Sequence, residues 1–508
     1  MTLPAPSRNP RSRSVIAGAV ALGLVASPVA SPAQTGGKEI VLPQLGEPAD
    51  VVMSPREEFE IGSRVTAQIH AAGYAIEDPE LEDYVAQLGW HIASHTANTP
   101  EHLEFFVVRD PRINAFALPG GFMGFNAGLL MAAETESELA GVVAHELAHV
   151  TQRHIARTIS GTRAADIATW AAVLAAIIAG SAAPDVVLGA LSLGQAATLQ
   201  RQINFTRNHE LEADRIGIGN LIDAGFDPEG MVSFFQRLEQ QSRLYGSQMP
   251  EILRTHPVNT TRISEARTRA AGHSGNDQAE RPLLFGLMRS RARVLSAERP
   301  SQALDYFSRR ISSGNDDAAE QYGAALALHE LGNYAGSRER LAPLLEAHPR
   351  QPNLQLLEAH NLRRMQRTDE ALARLQAALE HHPRYAPALF AYAETLMDDG
   401  QADRARQFLL DEFRHVAEFP LAHQILARAA RESGDRAELA YQSAAYSWRR
   451  GDSATAIGQI DAGLRQASLT EKERARLRSF RREVRDTLPE NWRPERQRGP
   501  RDDTQSEE

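Results

Sequence analysis

Two histidines four residues apart, with a glutamate beside the first, are the residues in this chain best suited to do chemistry. They read His145-Glu146-Leu147-Ala148-His149. Leu139, Val142, Val143 and Val150 supply apolar positions at helical spacing, and Thr135 with Glu138 has the spacing of a capping box that would start the helix. Residues four apart share one face of a helix, so both imidazoles can face a single metal ion. Glu146 would project beside that ion, where a base for an attacking water must stand. An ordinary amphipathic helix can carry the same spacing by chance, and a second motif argues against that.

The second motif is Asn208-His209-Glu210-Leu211-Glu212-Ala213-Asp214-Arg215. It has helical character, with Asn208 as an N-cap and Gly225 as a C-terminal stop. Catalytic zinc takes three protein ligands and keeps one position for water, and His-His-Glu is a recurring set. Glu210 is the expected third ligand, for one Zn²⁺ per subunit. Asp214, one turn on, can orient a ligating imidazole from behind. Glu212 is expected to point elsewhere and be solvated. Without the histidine pair, this acidic cluster would read as a charged helix face.

The elements that must hold these residues follow from turn and cap chemistry. Ser54-Pro55-Arg56-Glu57 opens one helix and Asp78-Pro79 another, running toward Trp90 and His95. Residues 103–108, 113–118 and 122–126 read as short strands separated by Asp110-Pro111 and Pro119-Gly120-Gly121. Such a sheet can offer an edge to an extended peptide, or be a plain core hairpin. His70, His91, His95 and His102 have no partner at metal spacing and read as core or surface residues. Residues 164–199 are rich in Ala, Ile, Leu and Val but are interrupted by Ser181, Pro184 and Asp185. They are either a buried helical hairpin or a mobile apolar flap over the cleft that touches membrane or client.

With 508 residues, the chain has room for two or three domains. Its net charge of −10 argues against nucleic acid as a partner. It has no cysteine, which leaves histidine and carboxylate as zinc ligands and rules out thiol catalysis and a lipobox. Arg8, Arg11 and Arg13, followed by an apolar stretch from Val15 to Ala26, read as a secretory signal over 1–33, cleaved near Ala33. No later run is long and clean enough for a membrane span, which leaves peripheral contact open. Residues 34–275 are expected to form the metal domain, with a polar boundary at 271–278.

Beyond that boundary a period of 34 appears. Gly332, Gln366, Gly400 and Gly434 obey it, as do Pro349 with Pro383, and Ala303, Ser337, Ala371 and Ala405. That is the spacing of tetratricopeptide (TPR) helix-turn-helix units, expected to number four or five over 281–466. Stacked units form a solenoid whose concave surface binds a partner or shields the cleft. Residues 485–508 are charged, poor in apolar side chains and expected to be disordered.

Taken together, His145-Glu146-x-x-His149 and Glu210-x-x-x-Asp214 resemble the gluzincin peptidases of the HtpX and CAAX-prenyl-protease type. Asn114-Ala115-Phe116-Ala117-Leu118-Pro119-Gly120-Gly121 before them, and Thr255-His256-Pro257 with Arg262 after them, match that family too. The likeness extends over nearly all of the chain after the first fifty residues, and it is specific in the metal domain and generic in the repeats. It implies a mainly α fold: a zinc metallopeptidase domain with a small β-sheet, then a TPR solenoid. It also implies that Asn114, Ala115 and Phe116 border the substrate cleft. His256 would either stabilise the oxyanion or occupy the open zinc position in a latent form, and Arg262 would pair with a carboxylate or a substrate carbonyl.

By the same resemblance the protein is a periplasmic zinc endopeptidase. Its substrates would be unfolded or misassembled outer-membrane proteins, and its repeats would dock on the barrel-assembly machinery. The competing expectation is a periplasmic chaperone or adaptor whose zinc site is latent.

Overall fold

The structure, a computed structural model, describes residues 53–159, 207–245, 250–276, 279–486 and 488. The expected signal at 1–33, the apolar segment 164–199 and nearly all of the tail lie outside the described residues. Among those described, no helix is long and apolar enough to cross a membrane.

The N-terminal part is helical around one small sheet. Helix α1 (Pro55–Ala71) starts at Ser54 with a complete capping box closed by Glu57. Helix α2 (Pro79–Ala93) starts at Asp78, whose side chain accepts from the Leu81 N–H. Strands β1 (Glu104–Val108), β2 (Ala115–Leu118) and β3 (Phe122–Asn126) follow in the order β1-β3-β2. β1 runs parallel to β3, and β2 pairs antiparallel with β3 from Ala115↔Phe125 to Leu118↔Phe122. The β2–β3 turn needs positive φ at Gly120 (78°) and Gly121 (90°). It is pressed so close that a Cβ on Gly121 would lie 2.0 Å from the His102 carbonyl oxygen.

Then come α3 (Ala127–Ala132), α4 (Glu136–Thr151), α5 (His154–Ile159), α6 (Arg207–Asp223), α7 (Glu229–Tyr245), α8 (Glu251–Thr255) and α9 (Thr260–Ala270). Every residue of α4 from Glu136 to His149 is buried, so this helix is the centre of the part rather than an amphipathic surface helix. The cap at Thr135 forms as expected, by accepting the Glu138 N–H (3.2 Å). The Glu138 carboxylate instead takes the Glu134 N–H (2.7 Å). Helix α6 already includes Arg207, so Asn208 lies inside it and is not its cap. Gly225 does end it, at φ 84°, and the Phe226 N–H returns to the Leu221 carbonyl (3.0 Å).

Six helical hairpins follow: 282–296 with 300–312, 318–330 with 334–347, 352–364 with 368–381, 386–398 with 402–411, 420–432 with 436–449, and 453–464 with 471–486. The 34-residue period has a physical basis at two places. Gly332, Gly400 and Gly434 occupy the same left-handed turn, and Gln366 adopts it as well, at φ 60°. Ala303, Ser337, Ala371 and Ala405 are all buried where helices meet, so only small side chains fit there. The mainly helical class, with a small sheet followed by repeat hairpins, is as the sequence suggested.

The hairpins do not hang on a free linker. One apolar core runs from Leu81 and Leu88 through Leu139, Val143 and Leu221 into Phe285, Phe307, Leu326 and Leu357. The polar boundary segment is itself bound, since the Asn276 N–H donates to the Gly225 carbonyl (2.7 Å). A buried polar network adds to this. Arg291 grips Asp78 through Nε (2.7 Å) and Nη2 (2.6 Å), approaches Glu80 at 2.8 Å and donates to Tyr322 Oη (2.8 Å). Asn353 Nδ2 donates to Glu80 Oε2 (2.6 Å). The last hairpins also reach back, with Arg450 2.5 Å from Glu77 and Arg56 donating to the Asp486 carbonyl (2.6 Å).

Removing one partner of a buried ion pair strands the other. Arg291→Met should therefore cost about 3–5 kcal/mol, read from the denaturant midpoint. Burial, against the pull of Arg291, lifts the pKa of Glu80 from 4.5 to about 7. Between those values the folded chain holds a proton that the unfolded chain has released, so stability falls as pH rises through that window. Glu80→Gln should flatten this slope in unfolding experiments run at pH 5 and pH 8.

Candidate metal centre

Three segments far apart in sequence meet at one point. Helix α4 supplies His145, Glu146 and His149, and α6 supplies Glu210 and Asp214. His256 closes the C-terminal end of α8. α6 comes this close to α4 because of Gly217, where a Cβ would lie 3.2 Å from the His145 backbone nitrogen. α8 is fixed by its Ile252 N–H, which donates to the Ile113 carbonyl (3.2 Å) just before β2.

His145, His149, Glu210 and His256 each offer one ligand atom, all within 4.8 Å of one another. The Nε2 atoms of His145 and His149 are 3.1 Å apart. Glu210 lies 3.5 Å from each of them and 3.0 Å from His256 Nδ1. All four are buried, as is Glu146 at 0 % exposure. Neither oxygen of Glu146 accepts a hydrogen bond among the described residues, and His256 Nε2 lies 3.5 Å from Glu146 Oε1.

Asp214 lies where a partner for a ligating imidazole should be, with Oδ1 3.0 Å from His145 Nδ1. Arg262 is the hub behind the cluster. Its Nε and Nη2 donate to Asp214 (2.6 and 2.7 Å), and Nη1 lies 2.8 Å from Glu210 and donates to the Pro257 carbonyl (2.9 Å). Its guanidinium also sits 5.0 Å from the centre of the Phe235 ring. The expectation that Arg262 would meet a carboxylate thus has a definite answer, and it meets two.

The electrostatics suit a cation. Among the described residues three buried carboxyl groups, of Glu146, Glu210 and Asp214, gather around one buried guanidinium, an acidic surrounding that attracts a cation. The pKa shifts have the same origin. Burial disfavours charge on His145, but the carboxylates of Asp214 and Glu210 outweigh it and raise its pKa to about 9. Burial, reinforced by His145, pushes His149 well below its ordinary value. Burial would raise Glu210, but His256 and His145 hold it well below the usual range. Clustered donors, an acidic surrounding and a carboxyl group with no hydrogen bond among the described residues fit a metal ion with a reactive group at its side.

The cleft residues are more divided. β2 packs against α4, with Ala115 in the core they share. Phe116 turns to the opposite face, against Phe106. The Asn114 side-chain oxygen is buried and accepts no hydrogen bond among the described residues. One edge of β2 is bonded to β3, and no described strand pairs with the other.

Glu212 departs from its expected solvated position. It is 35 % exposed and lies 3.3 Å from His154 Nε2 and 3.2 Å from Arg157. The cause is a left-handed turn at Arg153 (φ 51°), which folds α5 back across α6. His154 then meets His149 at 2.8 Å, Nδ1 to Nδ1. Helical periodicity places a fifth residue off the shared face, so nothing in the spacing pointed to His154.

A buried helix-borne His-Glu-x-x-His, joined by a glutamate from a second helix, defines a metallopeptidase. The model of peptidase family M48 matches residues 78–270, and a tetratricopeptide repeat model matches 362–411. The chain is 35 % identical to the beta-barrel assembly-enhancing protease of Escherichia coli (strain K12) over 339 residues. That match spans 65 % of this chain and 67 % of the relative. It is 36 % identical to the putative beta-barrel assembly-enhancing protease of Vibrio cholerae, over 63 % of this chain and 66 % of that one. It is 31 % identical to the mitochondrial metalloendopeptidase OMA1 of Arabidopsis thaliana, over 37 % and 36 %. The chain belongs to the M48 metallopeptidases, in the family of the beta-barrel assembly-enhancing proteases. It is a metalloprotease, and its family implies a catalytic metal.

Lysine at position 262 would keep the charge but lose the fork that bridges Asp214 and Glu210. Arg262→Lys should weaken divalent-cation binding about 10–100-fold, measured by competition with a chromophoric chelator.

Proposed function

We propose that the protein is an exported zinc endopeptidase that removes misfolded or misassembled outer-membrane proteins. The observation that carries the reading is Glu146, a buried carboxylate whose oxygens accept no hydrogen bond among the described residues, beside four buried metal-capable side chains. A purely structural metal site has no use for such a base. In this reading His145, His149 and Glu210 hold one Zn²⁺, and Asp214 orients His145.

A bound zinc ion supplies a Lewis acid that brings the pKa of its water to about 7. Glu146 takes the proton from the attacking water and hands it to the leaving amine. His256, 3.5 Å from Glu146 in this arrangement, is placed to donate to the oxyanion that develops on the peptide carbonyl. Asn114, Ala115 and Phe116 border the cleft, where the edge of β2 that no described strand pairs with accepts the substrate as an added strand. In this proposal residues 1–33 are a cleaved signal, 34–275 the peptidase domain and 281–466 the repeats; helix 471–486 pairs with 453–464, so the array runs past 466 and the polar tail expected over 485–508 starts after Asp486.

The relatives are named for beta-barrel assembly, which supports outer-membrane protein assembly as the setting, and the periplasm follows from the secretory signal read at 1–33. The repeats would bind client or the barrel-assembly machinery. Because their early helices already hold α2 through Arg291 and Asn353, that binding falls to surfaces other than the one gripping Glu80.

One observation favours a second reading. His256 stands inside the same 4.8 Å cluster as the three proposed ligands. As a fourth ligand and third imidazole, His256 would take the place of the water, making the resting protein latent, with chaperone or adaptor work in the foreground.

The test uses the mature protein and an unfolded β-barrel substrate. Glu146→Gln should keep its zinc and lose about 10²–10⁴ in kcat. If His256→Ala cleaves faster than wild type, that histidine is a latch; if slower, it serves the oxyanion. Should wild type and His256→Ala both bind zinc and client without cleaving, the chaperone reading takes over.

A further inference from the structure

The turn after α4 is unusual. Arg153 is one of two non-glycine residues with positive φ among those described, and such a backbone is strained. Its side chain is anchored, with Nε donating to Glu58 Oε1 (3.1 Å) and Nη2 to the Met53 carbonyl (2.6 Å). The result is that His154, wholly buried, sits beneath His149 instead of continuing the helix. His154 is also stacked on His209, with ring centres 4.4 Å apart and planes 10° apart, which fixes its ring plane.

Two Nδ1 atoms 2.8 Å apart can share only one proton between them. If His154 donates it, His149 must carry its own proton on Nε2, which faces His145 Nε2 at 3.1 Å and could not bind a cation. If His149 donates, its Nε2 lone pair is free for the cluster. His154 then carries its proton on Nε2, which faces Glu212 Oε2 at 3.3 Å, and Glu212 is held by Arg157. Only the second arrangement agrees with both the carboxylate at one end and the cluster at the other.

We propose that His154 is a positioning residue: by accepting the His149 Nδ1 proton, it fixes the tautomer in which His149 turns an unprotonated Nε2 to the metal. This rests on the reading of His149 as a ligand. His145 has a carboxylate, Asp214, behind it. His149 has a neutral imidazole with Glu212 behind that in turn. The two ligands are therefore held in the same sense by different chemistry.

The test compares Zn²⁺ affinity, by chelator competition, with the thermal midpoint of the zinc-depleted protein. His154→Asn puts an amide oxygen where Nδ1 was and should bind zinc within a few-fold of wild type. His154→Leu has no acceptor and should bind about 10–100-fold more weakly. If the leucine variant does not fold, His154→Gln serves in its place, because its amide reaches the Nε2 position and should weaken binding likewise. Equal affinities across the variants, or equal losses in asparagine and leucine that track the midpoint, would overturn the proposal in favour of simple packing. His149→Ala separates the two levels. If it binds zinc as tightly as wild type, the ligand reading itself fails. If it loses zinc while His154→Leu and His154→Gln do not, only the role of His154 fails.

Discussion

Burial of like charge is the constraint on which the rest of this structure depends. Glu146, Glu210 and Asp214 lie within a few side chains of one another with almost no access to water, and among the described residues Arg262 is the one guanidinium that bridges two of them. Each unpaired buried ion costs several kcal/mol. The fold tolerates them because Arg262 bridges two carboxylates and because four donors converge where a cation can balance the remainder. The third carboxylate, on Glu146, accepts no hydrogen bond among the described residues, which is costly for stability and useful for moving a proton.

Holding that arrangement requires α4 to be rigid and dry. It is buried from Glu136 to His149, and its N-terminal end is tied in several directions. Tyr84 Oη and Arg281 both donate to Glu136, and the Ser137 N–H donates to Glu280. Glu280 and Arg281 stand at the entrance to the first repeat hairpin. The repeats therefore begin at the end of the helix that carries the proposed ligands, and Arg291 fastens the same hairpin to α2. A continuous apolar core joins the two parts, so the solenoid supports the metal centre as part of one packed body.

The sequence was most legible where a local rule has a single physical cause. Ser54 and Asp78 cap helices because a short polar side chain before Pro satisfies the first free N–H groups. The 34-residue period could be read because each unit repeats the same left-handed turn and the same small buried side chain, at Gly332 and Ala303 and their successors. His145, Glu146 and His149 were legible because helical geometry alone puts them together. Asn208 misled because a residue that often caps can also stand in a first turn, and Glu212 because helical spacing says nothing about what a neighbouring helix brings to it.

Sequence alone, then, determined the kind of chemistry, the helical class and the repeat. Its signals are covalent spacing and local propensity, and those act within a few residues. Only the tertiary structure decided which distant groups share the site. Arg262 meets Asp214 and Glu210, His256 enters the cluster, and His154 turns under His149, because Gly217 permits a close helix crossing and Arg153 reverses the chain. Contacts between segments tens to hundreds of residues apart depend on how whole helices pack, and no spacing along the chain encodes that.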